Sequence, residues 1–147
     1  HERSRRQRQM CIRDRLNGAL AGLVAITAEP LTPGPILAMC IGAMGAVIMY
    51  FGTKFLESKA LDDVVGAIPV HMFAGIFGTL VVPLSNNDTN FATQFIGVIS
   101  VCVFSFVLSY AVFRTLKETI GLRISKSAER LGTDKAEVGV SAYSIRD

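Results

Sequence analysis

Three side chains equipped for chemistry fall within ten residues of one another in the stretch DDVVGAIPVHMFAGIFGTLVVPL (62–84): Asp62, Asp63 and His71. After Asp63 come 21 residues in which His71 is the only ionisable group. Asp62 and Asp63 suit the start of a helix. There Asp63 can accept hydrogen bonds from free first-turn N–H groups, and both carboxylates oppose the positive end of the helix dipole. A continuous helix from that point places His71 eight residues in, about 12 Å of rise, deep in an apolar layer. A charge at such a depth costs at least about 2.5–3.5 kcal/mol. An imidazole avoids that cost by staying neutral, which leaves one N–H donor and one acceptor nitrogen. Such a group can pass a proton or a small polar molecule along a narrow path. The competing reading is a histidine that bonds a neighbouring helix and only holds a bundle together. Pro69, read as an interior helix residue, would leave the Val65 carbonyl without its usual partner. That is tolerated at membrane depth where protein or a water-filled cavity satisfies the group.

Other chemistries find little support. His1 is the only other histidine, so no metal site forms around His71. No Ser or Cys is spaced to act with it as a nucleophile, no glycine loop could cradle a phosphate, and no cofactor is implied. The chain does not read as an enzyme. Ser105 and Ser109 are expected to bond back to their own helix. Cys11, Cys40 and Cys102 have no ligand spacing, and Cys40 and Cys102 read as small apolar residues inside spans.

The elements that must carry these residues are apolar blocks. Half of the 147 residues are hydrophobic, and they run continuously where a soluble amphipathic element would alternate. Blocks at 35–55, 64–84 and 91–116 are long enough to cross a bilayer core, which takes roughly 20 helical residues. A shorter block at 16–27 would by itself suggest a core helix or a signal-peptide segment, and the charge pattern of the connections favours reading it as the end of a fourth span. The expected architecture is an all-α, polytopic membrane bundle over 16–120, followed by a polar tail over 121–147. The formal charge of +3 does not mark a nucleic-acid binder. Residues 1–15 hold six of the fifteen basic residues and two of the twelve acidic ones, which leaves nine against ten elsewhere. That head joins the first block abruptly and reads as a non-native extension, with a basic arm on anionic lipid as the alternative.

The connections 28–34 and 85–90 lack Lys and Arg, whereas 54–63 and the segment after 116 carry them. With four spans, all the basic residues fall on one face. The positive-inside bias makes that face cytoplasmic, with the C-terminus on it. Small residues recur at helix-packing distances: Gly18 and Gly22, Ala38 with Gly42 and Ala46, Gly75 and Gly78. In lipid, close backbone approach through such residues supplies the attraction between helices. In the tail, 124–131 could form two helical turns with Ser125 as N-cap; a disordered tail is the alternative from composition.

Three segments, NGALAGLVAITA (17–28), DDVVGAIPVHMFAGIFGT (62–79) and GLRIS (121–125) followed by LGTDKAEVGVSAY (131–143), resemble the ammonium transporter family in order and spacing. Together they cover nearly everything from Asn17 to Tyr143. The resemblance is to the last four of eleven transmembrane helices and the cytosolic tail, a C-terminal fragment. It implies a homotrimer in the plasma (inner) membrane, with a narrow hydrophobic pore in each subunit where two facing histidines relay ammonia and the proton. His71 matches the second histidine. Asp62 and Asp63 match the carboxylates that begin its helix, and Pro69, Gly75 and Gly78 belong to the same helix as supports. Gly121, Arg123, Gly132, Asp134, Gly139, Ala142 and Tyr143 match the tail that packs on a neighbouring subunit and couples the pores.

Three positions depart from the pattern. Met72 stands where glycine is common, Val138 replaces a frequent histidine, and Ala136 takes the place of a threonine that regulates some plant members. The expected partners are ammonium or ammonia, membrane lipid, and a cytosolic regulator of nitrogen signalling; nucleic acid is not among them. An ammonium sensor signalling through the tail is the alternative function, and an isolated four-helix membrane protein with a structural histidine is a third. Without the first half of the family's chain, and with it the partner histidine, the fragment is not expected to conduct alone.

Overall fold

The computed structural model describes residues 2–140, and their side chains from Asp14 onward. Every regular element among them is helical: α1 (Glu2–Ile26), α2 (Pro35–Ser58), a π-helical turn (Ile68–Phe73) leading into α3 (Ala74–Val81) and a 3-10 turn (Val82–Leu84), α4 (Phe91–Thr119), α5 (Lys126–Leu131) and a second π-helical turn (Asp134–Val138). The chain forms two compact units, His1–Cys102 and Val103–Asp147.

In the first unit α1 lies along α2, and the segment from Ile68 to Leu84 packs on both. Each helix contributes one narrow stripe of mostly small residues at three- and four-residue spacing, the ridge of a closely packed helix pair. On α1 the stripe is Asn17, Ala21 and Ala25; on α2 it is Ile41, Gly45, Met49, Gly52 and Leu56; on the third segment it is Val70, Ala74, Gly78 and Val82. The backbones touch where side chains are absent. A Cβ added at Gly22 would lie 3.0 Å from the Gly42 carbonyl oxygen, and one at Gly45 would lie 2.7 Å from the Ala21 oxygen. Gly78 abuts the backbone of Ala25. Gly22 and Gly42, each noted in the sequence as a small packing residue, thus meet backbone to backbone. Gly45 and Gly52 complete the seam and were not legible as packing positions.

The two Lys/Arg-free connections meet at one end of this unit. The Thr32 hydroxyl donates to Ser85 Oγ at 3.2 Å, and the Asn86 amide donates to Glu29 Oε2 at 3.0 Å. The 59–67 connection lies at the opposite end with Asp14 and Asn17, which share a cavity with Asp62 and Asp63.

Several boundaries differ from the sequence expectation. α1 begins at Glu2, so the basic head continues one helix with the 16–27 block and no break marks their junction. The 64–84 block becomes helical only near Ile68, because Gly66 takes a left-handed φ of +77° and turns the chain first. Pro69 accordingly sits in the first turn, where its missing N–H costs no helical bond, and is not an interior helix breaker. Among the described residues two helices, Pro35–Ser58 and Phe91–Thr119, are long and apolar enough to cross a membrane, while Ile68–Leu84 is shorter. α4 has no buried residue and is apolar all round, as a membrane span or a helix enclosed by other helices is. On it Ser100 bonds back to the Ile96 carbonyl, at 2.8 Å. Among the described residues no such bond forms at Ser105 or Ser109.

In the second unit Ser125 caps α5 as expected, accepting from the Ala128 N–H at 3.2 Å. The helix closes on Gly132, whose N–H donates to the Ala128 carbonyl at 3.0 Å with φ at +96°. That left-handed backbone is open to glycine at little cost. Gly121 and Gly139 also have positive φ, +84° and +76°. Leu122, Leu131, Val138 and Val140 are exposed. Arg123 is exposed as well, and Asp134 opens the second π-helical turn. Ala142 and Tyr143 lie outside the described residues.

Candidate functional site

The helix start that carries His71 is built around one carboxylate. Asp63 Oδ1 accepts from the N–H groups of Gly66 (3.1 Å) and Ala67 (2.9 Å), and Oδ2 accepts from that of Ile68 (2.8 Å). The N–H groups of Ala67 and Ile68 at the helix start are thus satisfied by a single side chain, which also shares the Gly66 N–H with the Asp63 carbonyl, 3.2 Å away. Asp62 lines the same end cavity and makes none of these bonds. The two carboxylates, alike in the sequence, divide into a cap and an exposed neighbour.

Beyond the cap the backbone follows π-helical geometry through Phe73, with the Ala74 N–H reaching the carbonyls of His71 and Pro69. Such turns are rare and recur at functional sites. Pro69 and Val70 face inward, and Phe73 is half-buried. Gly52 on α2 leaves room for them: a Cβ there would meet the Phe73 ring, and would lie 3.1 Å from Pro69 Cβ. This packing turns the adjacent His71 and Met72 away from α1 and α2.

His71 lines a cavity of about 260 Å3 with Met72, Gly75, Ile76 and Thr79, closed opposite by Gly97, Val98, Val101 and Cys102 of α4. Its wall is mainly apolar, and the polar atoms it holds besides the imidazole include the Thr79 hydroxyl, which donates to the Gly75 carbonyl at 3.0 Å. Gly75 and Gly78 have separate roles. Gly78 is a close-packing position against α1, whereas Gly75 belongs to the cavity, and a Cβ there would meet only Val24 Cγ1 at an ordinary 3.7 Å.

The helical rise expected between Asp63 and His71 is corrected. The turn at 64–66 removes most of the eight-residue helical rise, so His71 lies three residues past Ile68, inside the π-helical turn. Within this chain its side chain is also exposed, not enclosed. Cys102, expected as a plain apolar span residue, belongs to the cavity wall. A lone asparagine in an otherwise apolar helical stretch, Asn17, was not recognised as a contributor. It is 9% exposed, and its Nδ2 donates to the Val65 carbonyl at 2.9 Å. Among the described residues no group of His, Cys, Asp and Glu could hold a metal ion.

The arrangement offers a shallow, mainly apolar wall with one imidazole on it. The imidazole and the Thr79 hydroxyl are its hydrogen-bonding groups, and the Cys102 thiol lies on the same wall.

The chain matches the model of the Ammonium Transporter Family over residues 3–143. It is 37% identical to ammonium transporter Amt2 of Archaeoglobus fulgidus, over 86% of this chain and 31% of that protein. A putative ammonium transporter of Synechocystis, sll1017, is 34% identical over 84% of this chain and 28% of its own length. Ammonium transporter Amt1 of Methanocaldococcus jannaschii is 32% identical over 87% of this chain and 35% of its own. The chain therefore spans about a third of the length of these relatives. The relatives are named as transporters and not as enzymes, and the match runs through the His71 helix and both of its packing partners. This chain belongs to the ammonium transporter family.

Proposed function

We propose that the chain is the C-terminal part of an integral membrane protein that moves ammonium or ammonia across the plasma (inner) membrane. In this reading the chain supplies the last four spans of an eleven-helix fold and places His71 on the wall of the conducting path. The observation that carries it is the His71 cavity: one imidazole and one hydroxyl on an apolar wall, on a helix start held by Asp63. A desolvated path with few polar groups favours a small solute able to shed its charge and accept a hydrogen bond, as ammonia does. The exposure of His71 in this chain fits a wall completed by other helices, those carrying the partner histidine.

The tail is proposed to lie in the cytoplasm and to couple neighbouring subunits of a homotrimer. Its support is a backbone fixed at Gly121, Gly132 and Gly139, carrying apolar side chains that find no cover within it. A cytosolic regulator of nitrogen signalling could share that surface.

The test is uptake of labelled methylammonium by cells devoid of their own ammonium transporters. The protein expressed is a hybrid, this chain joined to the preceding helices of the Archaeoglobus relative. Saturable uptake well above the vector control is expected. A hybrid that reaches the cell surface as a trimer and takes up nothing would reject the reading.

A further inference from the structure

Asn17 has no part in the transport reading, yet it is the one buried polar side chain among the described residues. It stands on α1, 48 residues from its partner, and donates to the Val65 carbonyl at 2.9 Å. That carbonyl belongs to the turn ahead of the His71 helix. The next residue, Gly66, has φ at +77°, and a Cβ built on it would lie 2.5 Å from Asn17 Nδ2. The Asn17 amide therefore lies flush against a stretch of backbone that only glycine leaves open. From the other side the Asp63 carboxylate holds the N–H groups of Gly66, Ala67 and Ile68. Asp63 fixes the turn internally, whereas the Asn17 bond ties it to another helix. An α-helix advances about 100° per residue and a π-helical turn somewhat less, so a start that slips by one residue swings every later side chain well around the axis. A buried amide left without its partner forfeits its hydration with nothing in return, which keeps this bond made.

We infer that Asn17 is a positioning residue for His71: its bond to Val65 sets where the helix begins, and so sets the direction in which the imidazole faces. The importance of that direction rests on the reading of His71 as a path residue; the bond and its effect on geometry do not.

The test uses the whole chain in lipid nanodiscs. With His1→Gln as background, labelled histidine reports His71 alone, because the chain holds two histidines. Asn17→Asp keeps the shape and removes the donor, and Asn17→Ala removes both. Ile41→Ala is the control, a buried residue near Gly78 and Val82 toward the other end of the unit.

Both Asn17 variants are expected to shift or split the backbone and ring signals of His71. They should also speed amide exchange at 66–72 at least tenfold relative to α4. Ile41→Ala should lower the unfolding midpoint and leave the His71 signals in place. Unmoved His71 signals in Asn17→Asp would overturn the inference, and so would an equal shift in Ile41→Ala. If both Asn17 variants unfold, the wild-type chain decides, since a Val65 carbonyl with the 13C shift of an unbonded group there also overturns it. These signals are independent of uptake, so a failure of the transport reading would leave them unchanged.

Discussion

Asp62 and Asp63 are adjacent, identical in type, and different in what they do. Asp63 accepts from three backbone donors and Asp62 from none of them. Asp63→Ala is expected to cost about 1–2 kcal/mol, the scale of a lost N-cap. Asp62→Ala should cost less than about 0.5 kcal/mol, the scale of a surface change. Unfolding of each variant in mixed micelles measures the difference, and equal losses would show that the cap is shared. The Asp63 role was legible because a carboxylate before an apolar run has few other uses. Asn17 was not, because its partner is a carbonyl 48 residues away whose direction depends on the left-handed turn at Gly66. The exposure of His71 was likewise out of reach, since the same turn delays the helix and shortens the rise to the imidazole.

Among the elements, the seam between α1, α2 and α3 is made by the absence of side chains. Gly75 and Gly78 look equivalent as a sequence pair, but only Gly78 touches the backbone of another helix. Gly78→Val should therefore destabilise the unit by about 1–3 kcal/mol through overpacking. Gly75→Ala should leave stability near the wild-type value and narrow the His71 cavity. Thermal unfolding in nanodiscs separates them, and a Gly75→Ala variant as unstable as Gly78→Val would contradict the assignment. Helix type and approximate extent were readable from the continuous apolar blocks. The π-helical turn at Ile68–Phe73 was not, because it reflects how Pro69 and Phe73 fit around Gly52 on α2. The contacts of Gly45 depend on which helix lies opposite, and no local pattern encodes that.

For the whole molecule, the family match and the exposed faces tell one story. The chain is about a third of the length of its named relatives, and α4 buries nothing within it. A helix this apolar requires lipid or other helices on all sides. The tail also needs a surface, since Leu122, Leu131, Val138 and Val140 are exposed between glycine-fixed turns. Removal of 121–147 from the hybrid transporter is expected to leave a trimer with uptake reduced severalfold, read by cross-linking and by methylammonium entry. Undiminished uptake after that deletion would reject the coupling role.

The central claim is that His71 faces the path of the transported solute. Its most direct test is methylammonium uptake and ion selectivity of His71→Ala in the hybrid, at surface expression matched to wild type. Uptake or selectivity changed by about tenfold (roughly 1.4 kcal/mol in the barrier), with trimer yield unaltered, is the expected result. Unchanged uptake and selectivity at equal expression would contradict it, and His71 would then be a residue that only holds the bundle together.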